Sequence, residues 1–249
     1  MAPDLLAIVF AAFFFAAFVK GTTGLGFSTA CLPILAMTIG LKATLPLLII
    51  PSLASNVVVM RDAGHFNETV RRFWPLFLGA VPGLVVGLWL LTWVDQAHAG
   101  AVLGLVLIGY GAFTLANPHL RLPQRLVRPL AVPTGLLTGT VNGLTGSQVM
   151  PVLPYLLSLG LDQNRFVQAI NCSFTFSSLI MAVGLSRIGL MTVETAVVSA
   201  FGLIAVVVGV KLGGRLRRRL SPDQFRRIVL RLLIALGALL AAKPVLFTD

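Results

Sequence analysis

The sequence predicts an all-α, polytopic membrane bundle of about eight helical segments. Three observations lead there. The chain is 57% hydrophobic and only 11% charged. Its apolar stretches are long and are separated by short polar ones. Two glycine-rich segments interrupt otherwise apolar runs. A soluble domain carries about 25% charged residues. A chain of 249 residues with a mean hydropathy of +0.95 cannot cover a water-facing surface.

The apolar stretches are residues 5–19, 28–39, 45–60, 73–94, 100–116, 129–137, 149–159, 166–185, 192–213 and 228–247. Several are long enough to cross a hydrocarbon layer of ~30 Å, which takes about 20 residues. Residues 28–39, 129–137 and 149–159 are too short and read as pieces of broken or re-entrant helices. The first stretch lacks the basic start of a secretory signal. Its early charge is Asp4, and Lys20 follows the apolar run, so the segment is expected to stay in the mature protein.

The net charge of +11 could suggest a nucleic-acid partner. Its distribution argues against that. Twelve arginines crowd into residues 61–72, 119–128 and 214–227, while residues 95–99 and 186–191 hold only Arg187. That asymmetry is an orientation signal, and it puts the arginine-rich loops in the cytoplasm. Counting crossings from those loops predicts an inner-membrane protein with both termini outside. The lipid bilayer is the expected partner surface. Nothing in the sequence decides whether the chain self-associates.

The two halves resemble each other. Residues 21–33, GTTGLGFSTACLP, align with residues 139–151, GTVNGLTGSQVMP, at an offset of 118, each running from glycine to proline. A Gly-Leu pair, a span and a glycine-containing turn follow in both. The turn at Gly64 is expected inside and the turn at Gly189 outside. The halves are therefore read as inverted-topology repeats, 1–118 and 129–249, each beginning with a broken or re-entrant hairpin and joined by the basic cytoplasmic linker 119–128. Broken helices of this kind build transporter sites near the bilayer midplane. Lipid cannot satisfy the freed backbone groups, and a half-helix N-terminus suits an anion.

The candidate binding residues follow from those breaks. Gly21, Thr22, Thr23, Gly24, Gly26 and Ser28 lie at the first, and Thr140, Asn142, Gly143, Thr145, Gly146, Ser147 and Gln148 at the second. Gly26 is read as permitting a close backbone approach. Asn56 and Asn171 lie in the spans that follow and must find partners if buried. Small hydroxyl residues also pack helices together in membranes, so each taken singly has a plainer explanation. Lys20 has two readings: the counter-charge of a bound anion, or a side chain whose ammonium reaches the membrane edge.

With those residues in view, the chain resembles the TauE/SafE family of sulfite exporters and related permeases. The resemblance rests on the paired segments 21–33 and 139–151, the short basic turn after the second span, and the stretch GVKLGGRLRRRLSPDQFRRIVLRLLIALG at 209–237. It implies a small anionic substrate, such as sulfite, a sulfonate or thiosulfate, moved by alternating access. A channel or permease for a neutral solute such as a nucleobase remains the competing reading.

No nucleotide-binding loop is present, and the eight acids fall in loops or at span ends. Cys31 and Cys172 lack metal-like spacing, as do His65, His98 and His119. No cofactor, no metal and no enzymatic reaction are expected.

Overall fold

The computed structural model describes residues 3–23, 26–116, 121–217 and 222–246. Among them the regular structure is entirely helical. The helices are α1 Pro3–Thr23, α2 Phe27–Thr38, α3 Leu41–Ala63, α4 Phe66–Trp93, α5 Gln96–Ala116, α6 Gln124–Thr145, α7 Val152–Leu157, α8 Gln163–Arg187, α9 Val193–Phe201, α10 Leu203–Arg217 and α11 Pro222–Leu246. Among the described residues six spans are long and apolar enough to cross a membrane, with α9 and α10, interrupted at Gly202, counting as one. Where the sequence suggests about eight segments, the described residues form eleven helices, because each hairpin contributes two and one span is split.

Helices in hydrocarbon gain little from burying apolar surface, so close packing of small residues holds them. Three glycine seams do this here. A Cβ on Gly83 would come 2.1 Å from the Leu136 carbonyl oxygen, and one on Gly139 would come 2.2 Å from that of Ala80. Gly79 and Gly87 face Val132 and Thr140 in the same order. Residue numbers climb together, so α4 and α6 run parallel. Gly209 and Gly213 meet the Phe14 and Phe18 carbonyls in the same way, so α1 and α10 are parallel too. Gly104 meets Gly237 while Gly111 meets Ile234, so α5 and α11 are antiparallel.

The α6–α7 hairpin returns to the face it left. The Leu122 N–H donates to the Ser158 carbonyl at 2.9 Å, and the Tyr155 hydroxyl to the Val127 carbonyl at 2.8 Å. α8 starts on that face as well, because Arg165 donates to Glu68 at the head of α4 (3.0 Å) and to Asp162 (2.7 Å). The Arg165 backbone N–H and guanidinium hold the Asp162 carboxyl below its ordinary value, so the cap of α8 stays ionised. Arg71, Arg72, Arg125, Arg128, Arg165 and Arg215 share this arginine-rich face, and Asp95, His98, Arg187 and Glu194 share the other.

Residues 129–137, too short as an apolar run, belong to the 22-residue helix α6, which passes through Pro129 and Pro133. Hydropathy hides this helix because Thr134, Thr138 and Asn142 are buried against protein rather than lipid. The seam makes a direct prediction. Gly83→Ala and Gly139→Ala each push a methyl into backbone, and overpacking costs about 1–3 kcal/mol. Gly109→Ala meets nothing within 4 Å and should be neutral. Thermal unfolding in detergent should show a lowered Tm for the first two and an unchanged one for the third; equal Tm values in all three would refute the seam.

Candidate functional site

α1 does not end at residue 19. Its helix continues to Thr23, so Lys20, Gly21, Thr22 and Thr23 lie in its last turns and not in a loop. The Thr22 and Thr23 hydroxyls donate back to the Val19 carbonyl at 2.7 and 2.9 Å. Gly21 is turned into the α10 seam, where a Cβ would lie 2.3 Å from the Val210 oxygen. Gly24 lies outside the described residues. α2 opens immediately after Gly26, whose φ of 91° is left-handed, and has no side-chain cap on its first N–H groups. A Cβ on Gly26 would meet nothing within 4 Å. Glycine is needed there for its backbone angle and not, as the sequence suggested, for a close approach.

Lys20 does not reach the membrane edge. Its side chain is 2% exposed. Nζ donates to Ser55 Oγ at 3.1 Å and to Asn56 Oδ1, both on α3. Among the described residues no carboxylate pairs with it. Ser55 in turn donates to the Ser52 carbonyl at 2.9 Å, and Ser28 of α2 donates to Ser52 Oγ at 3.2 Å. The ammonium thus sits one helical turn along α3 from the start of α2.

The second break is longer. α6 ends at Thr145, Gly146 turns the chain at φ 75°, and α7 begins only at Val152. Thr140 and Thr145 hydroxyls donate to carbonyls one turn back, and Gly143 faces the α4 seam. Gln148 Nε2 donates to Ser178 Oγ at 3.0 Å. Asn171 Nδ2 donates to the Val167 carbonyl at 2.8 Å. Other polar atoms are left over. Asn56 Nδ2, Asn142 Nδ2 and Oδ1, Ser147 Oγ, Gln148 Oε1 and Asn171 Oδ1 are buried without a partner among the described residues. Each such group costs about 1–3 kcal/mol; those of Asn142, Ser147 and Gln148 gather at the second break and that of Asn56 lies beside Lys20, while Thr114, Thr138 and Thr175 also carry buried, unpartnered hydroxyls in the spans.

The breaks share one cavity. Ser28 and Ser52 from the first half face Asn142, Gly146, Gln148 and Ser178 from the second across a space of about 20 Å³, room for one water. A larger cavity of about 210 Å³ lies beside it. Gln163 and Phe166 line it at the start of α8, on the arginine-rich face, together with Thr23, Gly26 and Thr29 of the first break. A third, of about 580 Å³, lies on the other face among Leu5, Thr38, Lys42, Gln96 and Glu194. Of the residues singled out in sequence, Ser28, Asn142, Gly146 and Gln148 meet in the shared cavity, and Lys20 and Asn56 meet beside it. Ser52, Ser55 and Ser178 were missed. Ser52 and Ser55 recur at three-residue spacing inside an apolar span, which does not by itself tell a site from packing, and Ser178 has no such signal.

A helical membrane protein with unpaired polar groups buried where two broken helices meet, and with a cavity leading toward each face, has the build of a membrane transporter. The family profile for sulfite exporter TauE/SafE matches residues 9–240, and the chain belongs to that family. No curated protein and no solved structure matches it.

The two turn glycines differ in surroundings, which gives a paired test. A Cβ on Gly146 would come 2.3 Å from Leu45, while Gly26 has open space. Asn tolerates left-handed backbone. Gly26→Asn should therefore yield folded, monodisperse protein and Gly146→Asn should not, as judged by size exclusion and Tm. Equal behaviour would contradict the placement of the second break.

Proposed function

We propose that this protein moves a small anion across the cytoplasmic membrane by alternating access, binding it where the two breaks meet, with Lys20 as the counter-charge. The observation that carries the reading is the buried ammonium held only by neutral acceptors. An ammonium has three donors; two are engaged by Ser55 and Asn56, and the third is left for a ligand. Asn56 Nδ2, Asn142 Nδ2 and Ser147 Oγ are further unused donors, and the uncapped N–H groups of α2 favour negative charge. The unused acceptors Gln148 Oε1 and Asn171 Oδ1 suit water or a protonated oxygen of the substrate. Sulfite, a sulfonate or thiosulfate fits this mixture, and the family's description favours sulfur oxyanions.

Inverted repeats, 1–118 and 129–249, are part of the proposal, and the backbone supports them. The glycines with positive φ fall into pairs: Gly26 with Gly146 and Gly40 with Gly160, both 120 residues apart, and Gly64 with Gly189, 125 apart. The parallel α1–α10 seam has its counterpart in the parallel α4–α6 seam. Gly213 of α10 meets Gly21 of α1 as Gly87 of α4 meets Gly143 of α6, so each seam carries a glycine–glycine contact near the break. The arginine asymmetry supports a reading with the face bearing Arg71 and Arg128 in the cytoplasm and both termini outside. In a Cys-free background, a cysteine at Ala97 should then react with an impermeant maleimide in intact cells while one at Gln124 stays silent; the reverse pattern would overturn the orientation.

Lys20→Gln tests the site. It keeps length and hydrogen bonding and removes the charge. A hydrogen bond to a charged group is worth about 1.5–3 kcal/mol, and about 1.4 kcal/mol is tenfold in affinity. Folded Lys20→Gln should bind sulfite-type anions at least about tenfold more weakly, measured by thermal shift and by counterflow in proteoliposomes. Ser28→Ala and Ser147→Ala should each have a smaller effect, because backbone donors remain. Unchanged anion affinity in folded Lys20→Gln, or stabilisation by nucleobases alone, would refute the anion reading.

A further inference from the structure

A cluster of cations at the arginine-rich face takes no part in the proposed transport path. α4 and α6 run side by side there, and between residues 71–75 of α4 and the first turns of α6 lies a cavity of about 580 Å³. Arg71, Arg72, Trp74, Gln124, Arg128 and Tyr155 line it. Among the described residues no carboxylate forms an ion pair with Arg71, Arg72 or Arg128. The one acid in the first turn of α4, Glu68, is engaged by Arg165 and His65. The Arg72 guanidinium rests 5.3 Å over the Phe73 ring, which fixes its direction. The Tyr155 hydroxyl, also on the lining, donates to the Val127 carbonyl at 2.8 Å and so joins the second hairpin to α6.

Three guanidinium groups around one cavity repel one another unless an anion sits between them. Guanidinium forks match the geometry of phosphate oxygens. The chemistry of the walls narrows the anion further. Directly beyond the arginines, along the same two helices, the surface turns apolar and outward: Trp74 is 56% exposed and Leu78 55%, and Leu130 of α6 is exposed beside them. A tryptophan at that level marks the interface between headgroups and acyl chains. A soluble phosphate would satisfy the arginines but make no use of the exposed apolar surface that continues from Trp74 to Leu78 and Leu130, just outside the cavity. A ligand with a phosphate head and hydrocarbon tails satisfies both, and basic pockets between membrane helices take such headgroups. We propose that this cavity binds the phosphodiester headgroup of an anionic phospholipid from the leaflet on the arginine-rich face, with its acyl chains lying along Leu78 and Leu130. The bound lipid would bridge the starts of α4 and α6 and brace the second hairpin through Tyr155.

Retention of lipid by the purified full-length protein tests this. Native mass spectrometry from micelles doped with equal phosphatidylglycerol and phosphatidylcholine should show phosphatidylglycerol retained preferentially by the wild type. Removing cavity charge, in Arg128→Gln and in the Arg71→Gln/Arg72→Gln/Arg128→Gln combination, should lower that retention by about fivefold per arginine. Arg121→Gln/Arg125→Gln removes two exposed arginines of the same face that do not line the cavity, and should leave retention unchanged. Inorganic phosphate at millimolar concentration should not displace the lipid. No preference for phosphatidylglycerol in the wild type would overturn the proposal, and that arm needs no variant to fold. So would an equal loss in the Arg121/Arg125 control, which would mean diffuse surface charge, or displacement by phosphate, which would mean a site for the free ion.

Discussion

Hydrocarbon offers no hydrogen bonds, and the rest of this structure depends on that. A helix that stops inside the membrane leaves N–H and C=O groups unpaired, and these must face protein or water. Helix breaks twice, at Gly26 and at Gly146, and Gly146 shares a cavity with Ser28, just past the first break. To hold them there, α1 and α6 are each pressed against a partner helix along glycines that let backbone touch backbone. Polar side chains are buried along the helix contacts, as at Thr134 and Thr138, and at the breaks, as at Ser28, Asn142 and Gln148. Seams, breaks and polar centre are therefore consequences of one constraint.

Burying an ammonium is expensive, and Lys20 is tolerated because Ser55 and Asn56 replace part of its hydration. An anion at the break would replace more. The shared cavity of about 20 Å³ is too small for an oxyanion, so the structure is closed around its centre. In the proposed account, binding needs α2 and α7 to separate, while the glycine seams keep α1 with α10 and α6 with α4.

The spans, the basic loops and the glycine breaks were legible in the sequence because each follows from composition or from a residue type with one strong preference. The extent of α6 was not. Its threonines and Asn142 lower its hydropathy, and only the α4 seam shows that they face protein. Lys20 could not be placed from sequence, since a lysine at a span end satisfies both readings until its partners on α3 are known. Ser52, Ser55 and Ser178 were invisible for the same reason: a serine in an apolar span looks like packing until another chain segment comes against it.

The central claim is that one anion site lies at the meeting of the two breaks. It is tested most directly by crystals grown with a selenium-bearing oxyanion and examined by anomalous scattering. A peak is expected between Ser28, Asn142 and Gln148, within hydrogen-bond reach of the Lys20 ammonium, and it should be lost in Lys20→Gln crystals. A peak elsewhere with this centre unchanged, or one that persists in Lys20→Gln, would contradict the claim.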